Sequence, residues 1–239
     1  MTDSLPDSGD RRRLLPAFLP YLVLSAVHFV LLSTGPAWAV TATKALLMPL
    51  LALAVVMVAR PLRGRTIGLL LLAIALSWGG DVALSFPGQL LFVVGLCLFL
   101  LGHVAYIVLF LRLRPRGRRL PVWTLVYVAW YAAFLALLGP DLGVLFVPVA
   151  IYGLVLGAMA ALAGGIGGVI AVGGALFVVS DSVLALGRFL PGYEFALHDL
   201  TVMSTYLAAQ GLIALGVVRL SAPAPSSPAP GRPASATAR

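Results

Sequence analysis

The sequence predicts an all-α membrane protein of about eight transmembrane helices, and three observations carry that expectation. Of the 239 residues, 61% are hydrophobic and 10% are charged, with a mean hydropathy of +1.06. A soluble domain carries about 25% charged residues to solvate its surface, and a disordered chain carries more. Apolar runs of the length that spans a hydrocarbon core of roughly 30 Å recur along the chain. Those runs are continuous, as from Leu69 to Leu76, whereas a strand barrel needs short segments alternating apolar and polar.

The spans fall at Pro16 to Leu32, Ala39 to Val58, Thr66 to Leu84, Leu90 to Leu111, Leu120 to Leu138, Leu142 to Leu162, Gly167 to Leu186 and Leu197 to Val218. They cover 160 of the 239 residues, so no soluble domain fits between them. The predicted organisation is a cytoplasmic N-terminal segment at residues 1–15, an eight-helix membrane domain at 16–219, and a disordered Pro/Ala/Ser-rich tail at 220–239. A stretch of that composition cannot build a core. Arg11 to Arg13, the apolar run after them and Ala37-Trp38-Ala39 also fit a cleaved signal peptide. The run is longer than a usual signal core, which favours a retained first span.

The formal charge of +8 is a topology signal. Arg11 to Arg13 precede span one, and Arg60, Arg63 and Arg65 separate spans two and three. Arg112, Arg114, Arg116, Arg118 and Arg119 separate spans four and five, and Arg219, Arg232 and Arg239 follow span eight. With eight helices all these residues share one side, so both termini are expected to be cytoplasmic. A secondary reading makes the Arg112 to Arg119 cluster a site for anionic headgroups. The excess of Arg over Lys, with abundant Ala, Gly and Leu, hints at a bacterial genome and an inner or plasma membrane. The lone Cys97 excludes a disulfide framework and a Cys-based zinc site.

Spans six and seven are crowded with glycine, including Gly153, Gly157, Gly164, Gly165, Gly173 and Gly174. A phosphate-cradling loop would end in Lys-Ser/Thr and follow a strand. Close helix packing explains the glycines better.

The informative residues are the ionisable ones inside spans, where each charge costs roughly 2.5–3.5 kcal/mol on insertion scales. These are His28, Lys44, Asp81, His103 and Asp181, with Arg188, His198 and Asp199 near span ends. The segments around the two Asp echo each other: Gly80-Asp81-Val82-Ala83-Leu84 against Ser180-Asp181-Ser182-Val183-Leu184. A Tyr follows each Asp by 25 positions, at Tyr106 and Tyr206. Four helices separate the copies, which suggests two parallel four-helix halves that each contribute an Asp to a shared interior. Two carboxyls in one apolar cavity repel each other, so one keeps its proton while the other is ionised beside a cation such as Lys44 or Arg188. That is an acid and a base in one site, suited to activating water against an acid-labile bond.

Ser180 and Ser182 have no His in reach and no nucleophile elbow, which argues against a Ser triad. A metal held by Asp81, Asp181 and His103 is a weaker alternative, and no metal is expected. His28 reads as a helix-packing residue and His198 as an interfacial one. The same carboxylates would also serve a proton- or cation-coupled transporter or a lipid-handling protein.

Several motifs stand together: Thr43-Lys44-Ala45-Leu46-Leu47-Met48-Pro49-Leu50, Gly80-Asp81 with Leu84, Gly102-His103 with Tyr106, Ser180-Asp181-Ser182 with Leu184 and Arg188-Phe189, and Tyr206 with Gln210. In this order they resemble the YhhN family of membrane proteins, whose animal members are lysoplasmalogenases. Ala45 departs from the pattern, because the family commonly has Pro after the Lys. The resemblance implies cofactor-free hydrolysis of the vinyl ether bond of a lysoplasmalogen, giving a fatty aldehyde and a glycerophospho-base. It implies a membrane lipid as the partner, with no nucleic acid and no obligatory protein partner, and leaves homo-oligomers open. Asp81 and Asp181 would act jointly as acid and base. Lys44 and Arg188 would tune them or meet the phosphate. His103, Tyr106, Tyr206 and Gln210 would orient water or glycerol oxygens, with Ser180 and Ser182 supporting.

Overall fold

A computed structural model describes residues 8–59, 64–115, 117 and 119–221, with only the backbone described for 8–13. Among these residues the chain forms eight apolar helices and no strands, each long enough to cross a membrane once the tight turns flanking the fifth and sixth are included. They are α1 (Ser8–Thr34), α2 (Ala37–Val58), α3 (Arg65–Leu84), α4 (Gln89–Leu113), α5 (Val126–Leu138), α6 (Phe146–Ile166), α7 (Gly168–Phe189) and α8 (His198–Ser221). Most of the expected Pro/Ala/Ser tail lies outside the described residues. So do the first seven residues and Arg60, Arg63, Arg116, Arg118, Arg232 and Arg239.

Two boundaries differ from the sequence reading for identifiable reasons. The first helix begins at Ser8 and runs through Pro16 and Pro20, so neither proline starts it. A proline inside a helix removes one donor and leaves one carbonyl without its usual partner, which α1 tolerates here. The fifth span is not one continuous α-helix. Pro121 precedes a tight turn at Val122–Leu125, and further tight turns at Gly139–Asp141 and Gly143–Leu145 separate α5 from α6. Gly139-Pro140 ends the regular ladder, and Gly143 at φ 50° completes the reversal.

The hinge between α6 and α7 depends on Gly167 at φ 90° followed by Gly168 at φ 57°, a region that side chains with a Cβ rarely enter. Just beyond, Gly173 lets α7 lie against α8. A Cβ added there would meet Ile213 Cγ1 at 2.7 Å and the Ala209 carbonyl oxygen at 3.0 Å. The closest pairings are α7 with α8 and α3 with α4, and α6 also packs against both α4 and α7. Leu47, Met48, Leu51, Leu70, Leu109, Phe110, Phe177 and Ile213 fill the centre. Residues such as Leu101, Val128 and Leu154 remain exposed, as expected of helix faces turned to lipid.

One tie between α2 and α3 follows directly from covalent structure. Pro49 lies inside α2 and has no N–H, so the Ala45 carbonyl one turn earlier loses its helical donor. The indole Nε1 of Trp78 on α3 donates to that carbonyl at 2.8 Å. In a bilayer an unsatisfied carbonyl costs several kcal/mol in hydrocarbon, so the indole replaces a bond that the sequence of α2 forbids. It also sets the height of Lys44, next to Ala45, against Asp81, three residues after Trp78.

Candidate active site

Asp81 lies about 24 Å and Asp181 about 20 Å along their helices at 1.5 Å per residue, Asp81 within one turn of the end of α3. Both line a single chamber of about 590 Å³. Its walls come from the end of α1, the start of α2, the end of α3, the first half of α4, the second half of α7 and the first half of α8. Lys44, Ser180, Arg188, His198, Phe99 and Tyr206 are among the residues facing it. The helix ends bearing Arg65, Arg112, Arg114 and Arg219 lie at the opposite end of the bundle, because each of these helices enters or leaves the chamber by its other end.

The two carboxyls have different surroundings. Asp81 is 3% exposed. Its Oδ2 accepts a hydrogen bond from the Tyr206 hydroxyl at 2.6 Å, and Lys44 Nζ stands 3.7 Å from Oδ1. Tyr206 in turn receives the side-chain amide of Gln210 at 3.4 Å, and Gln210 Oε1 accepts from the buried Tyr106 hydroxyl. Every donor in this chain, Tyr106 to Gln210 to Tyr206 to Asp81, points toward the carboxylate. A donor relay that ends on a carboxylate beside an ammonium favours the ionised form.

Asp181 has no such cation. Its Oδ2 accepts from the Tyr152 hydroxyl at 2.5 Å and lies 3.7 Å from His103 Nε2. The imidazole is 1% exposed, lies near the Phe99 carbonyl one turn back and makes no hydrogen bond of good geometry through either nitrogen. Phe177 closes against it at 4.7 Å between ring centroids and against Tyr206 at 5.5 Å. Phe177 thus lies between the His103 and Tyr206 rings, while both carboxyls face the one chamber. Asp181 Oδ1 has no hydrogen-bond partner among the described residues, which leaves it available to hold a transferable proton.

The other expected residues divide. Ser180 faces the chamber while its hydroxyl donates to the Val202 carbonyl at 3.0 Å, tying α7 to α8. Ser182 turns elsewhere: it donates to the Val178 carbonyl and accepts the Trp130 indole at 3.0 Å, so it links α5 to α7. Arg188 contacts neither carboxyl. Its Nη2 donates to Gln89 Oε1 at 2.9 Å and its guanidinium lies 4.7 Å from the Phe92 ring centre.

His28, expected only to pack helices, does so through Thr43 at 2.8 Å. It also lines the chamber, with Nε2 unpartnered. His198 opens α8, also lines the chamber and approaches Asp199 at 4.0 Å. Among the described residues no three His, Cys, Asp or Glu side chains converge as a metal-binding group.

Sequence reasoning missed Tyr152. It sits in the sixth span beside Gly153, where the glycines dominate the sequence pattern. A hydroxyl in the middle of an apolar helix must find a partner, and that was the available signal. The echo between the halves is also not kept at the site. Tyr206 serves Asp81 across the halves, whereas Tyr106 serves Gln210 and leaves Asp181 to Tyr152.

The YhhN family profile matches residues 39–217, which includes every residue of both networks. The chain belongs to the YhhN family. Relatives of this YhhN protein include the lysoplasmalogenase TMEM86B of Rattus norvegicus, 32% identical over 81% of this chain and 80% of the relative. The lysoplasmalogenase TMEM86B of Mus musculus is 33% identical over 81% and 83%. No solved structure matches the chain. As a multi-pass membrane protein of this family, it places its two buried carboxyls inside the matched region.

Proposed function

We propose that this YhhN protein is a membrane-embedded ether hydrolase that cleaves the vinyl ether bond of lysoplasmalogen-type lysophospholipids. The observation that carries the reading is a chamber lined by two buried carboxyls, one held beside Lys44 and one without a cation. The relatives named lysoplasmalogenase support the same substrate class.

An enol ether is cleaved by adding a proton to its β-carbon, which leaves an oxocarbenium ion for water to capture. Asp181 is the acid and transfers a proton from Oδ1 to that carbon. Asp81 stays ionised. It stabilises the cation and takes a proton from the incoming water. The hemiacetal then collapses as its hydroxyl returns a proton to Asp181 and the glycerol oxygen takes the one held by Asp81, which restores both carboxyls. One water is consumed, and the products are a fatty aldehyde and a glycerophospho-base. Lys44 and the Tyr106–Gln210–Tyr206 relay hold Asp81 in place and charged, and Tyr152 positions Asp181.

Arg188 meets the phosphate. It lies seven residues beyond Asp181 on α7, hence on the same face and about 10.5 Å away along the axis. An extended glycerol backbone from phosphorus to the vinyl carbon spans roughly 8 Å at bond lengths near 1.5 Å, so one substrate can reach both. With both termini cytoplasmic, the chamber opens on the opposite side of an inner or plasma membrane. The membrane domain spans residues 16–219 as two parallel halves, and the lipid is its only required partner.

Purified protein incubated with a lysoplasmalogen and with its acyl ester analogue tests this reading. Aldehyde from the first, lost in Asp81→Asn and Asp181→Asn proteins that still fold, is the expected result. No product from either lipid, combined with proton-coupled uptake into vesicles, would replace it with a transporter.

A further inference from the structure

A second, apolar crevice joins the chamber at the catalytic level. It lies among α4, α5, α6 and α7 and holds about 40 Å³. Its own walls are Leu96, Phe134, Val149, Leu156, Ala185 and Phe189. It shares Asp181, Arg188, Leu184, Phe92, Phe99 and Leu84 of α3 with the chamber. Asp181 therefore stands at the junction of a polar compartment and an apolar one, and Tyr152, its hydrogen-bond donor, lines the apolar side.

Toward the open end, Phe92 and Phe189 meet edge to face at 5.9 Å and bridge α4 to α7. Deeper in, both of those helices lean on α6. Such a junction fits an amphiphile whose reacting bond separates a polar part from a hydrocarbon part.

We infer that this crevice is the subsite for the proximal hydrocarbon chain of the lysolipid, an assignment that rests on the hydrolase reading above. With the phosphate at Arg188 and the vinyl ether at Asp181, the chain continues away from the chamber into the α4–α7 crevice. A water-sized group needs roughly 10–15 Å³ of such space, so the crevice grips about three methylene-sized groups beyond the double bond. The rest of a long chain lies outside it. The site is therefore selective for shape near the ether and indifferent to total chain length. Hydrophobicity cannot supply that selectivity, since lipid tails are as apolar as the walls.

The test compares linear hexadecenyl and octadecenyl lysoplasmalogens with one carrying a methyl branch on the third alkenyl carbon. It uses the full-length protein, Ala185→Phe and Phe134→Ala. The unaltered protein should treat the two linear lipids alike within about twofold and lose at least about tenfold in kcat/KM on the branched one. Phe134→Ala should recover most of that loss by enlarging the crevice. Ala185→Phe adds a ring larger than the free space and should depress turnover of all three.

Binding of a radiolabelled saturated hexadecyl ether lysolipid, which cannot be protonated at carbon, gives a readout independent of chemistry. It should weaken in Ala185→Phe and not in Phe134→Ala. Binding that follows this pattern without aldehyde from the unaltered protein would end the hydrolase reading and support the crevice. Full activity on the branched lipid, or unchanged binding in a folded Ala185→Phe protein, would overturn the assignment.

Discussion

Replacing Trp78 with Phe removes the indole donor from the Ala45 carbonyl while retaining an aromatic ring between α2 and α3. The bond is 2.8 Å long, and Trp78 is 43% exposed on the bundle surface, where hydrocarbon offers no substitute donor. Interhelical hydrogen bonds in membrane proteins average about 0.6 kcal/mol and reach about 1.7 kcal/mol. Because Pro49 leaves this carbonyl with no alternative, Trp78→Phe should fall near the upper figure.

The origin of the effect can be separated from lost ring packing by a double-mutant cycle. In a Pro49→Ala background residue 49 regains an N–H, the Ala45 carbonyl regains its helical partner, and the indole becomes redundant. Trp78→Phe should then cost about 1 kcal/mol less than in the parent, within the range of coupling energies for residues in contact. Reversible unfolding in mixed detergent micelles measures all four corners. Equal costs of Trp78→Phe in both backgrounds would refute the claim that the indole substitutes for the missing proline N–H. The same cycle followed by activity should show lower turnover in Trp78→Phe, with partial recovery on adding Pro49→Ala, because the tie sets Lys44 against Asp81.

Hydrolysis in deuterium oxide, with the aldehyde reduced as it forms, should place one deuterium on the carbon next to the carbonyl, read by mass spectrometry. Unlabelled aldehyde would exclude proton transfer to carbon. Tyr206→Phe withdraws a buried donor from an ionised carboxylate, an interaction worth about 1.5–3 kcal/mol. It should slow turnover by about ten- to a hundredfold, and Ser182→Ala should stay within about twofold while loosening Trp130, seen in its fluorescence. Equal losses in the two would show that facing the chamber is not what matters. Gly173→Val drives a side chain into Ile213 and the Ala209 carbonyl and should cost about 1–3 kcal/mol in overpacking, visible as a lower unfolding midpoint with α7 and α8 the first to exchange amide protons.

The spans, and the rarity of polar groups within them, could be read from the chain because crossing hydrocarbon is a local requirement. Some twenty consecutive residues must be apolar and wound as helix, whatever their neighbours. Lys44, Asp81, His103 and Asp181 stood out for the same reason, since each breaks a run that insertion would otherwise favour.

Partnership was not legible, because it depends on how each helix is rotated and at what height its neighbour lies. Twenty-five positions separate each Asp from the following Tyr, yet Tyr206 turns to Asp81 and Tyr152 answers Asp181. Ser182, one residue from a chamber-lining carboxylate, points about 100° away around α7 and meets Trp130. Composition and spacing thus determined that this is a helical membrane protein with two costly carboxyls. The Trp78–Ala45 tie of α2 to α3 set Asp81 beside Lys44, and the close approach of α7 to α6 at Gly174 set Asp181 with Tyr152 at an apolar crevice, because rotation and height are properties of the assembled bundle.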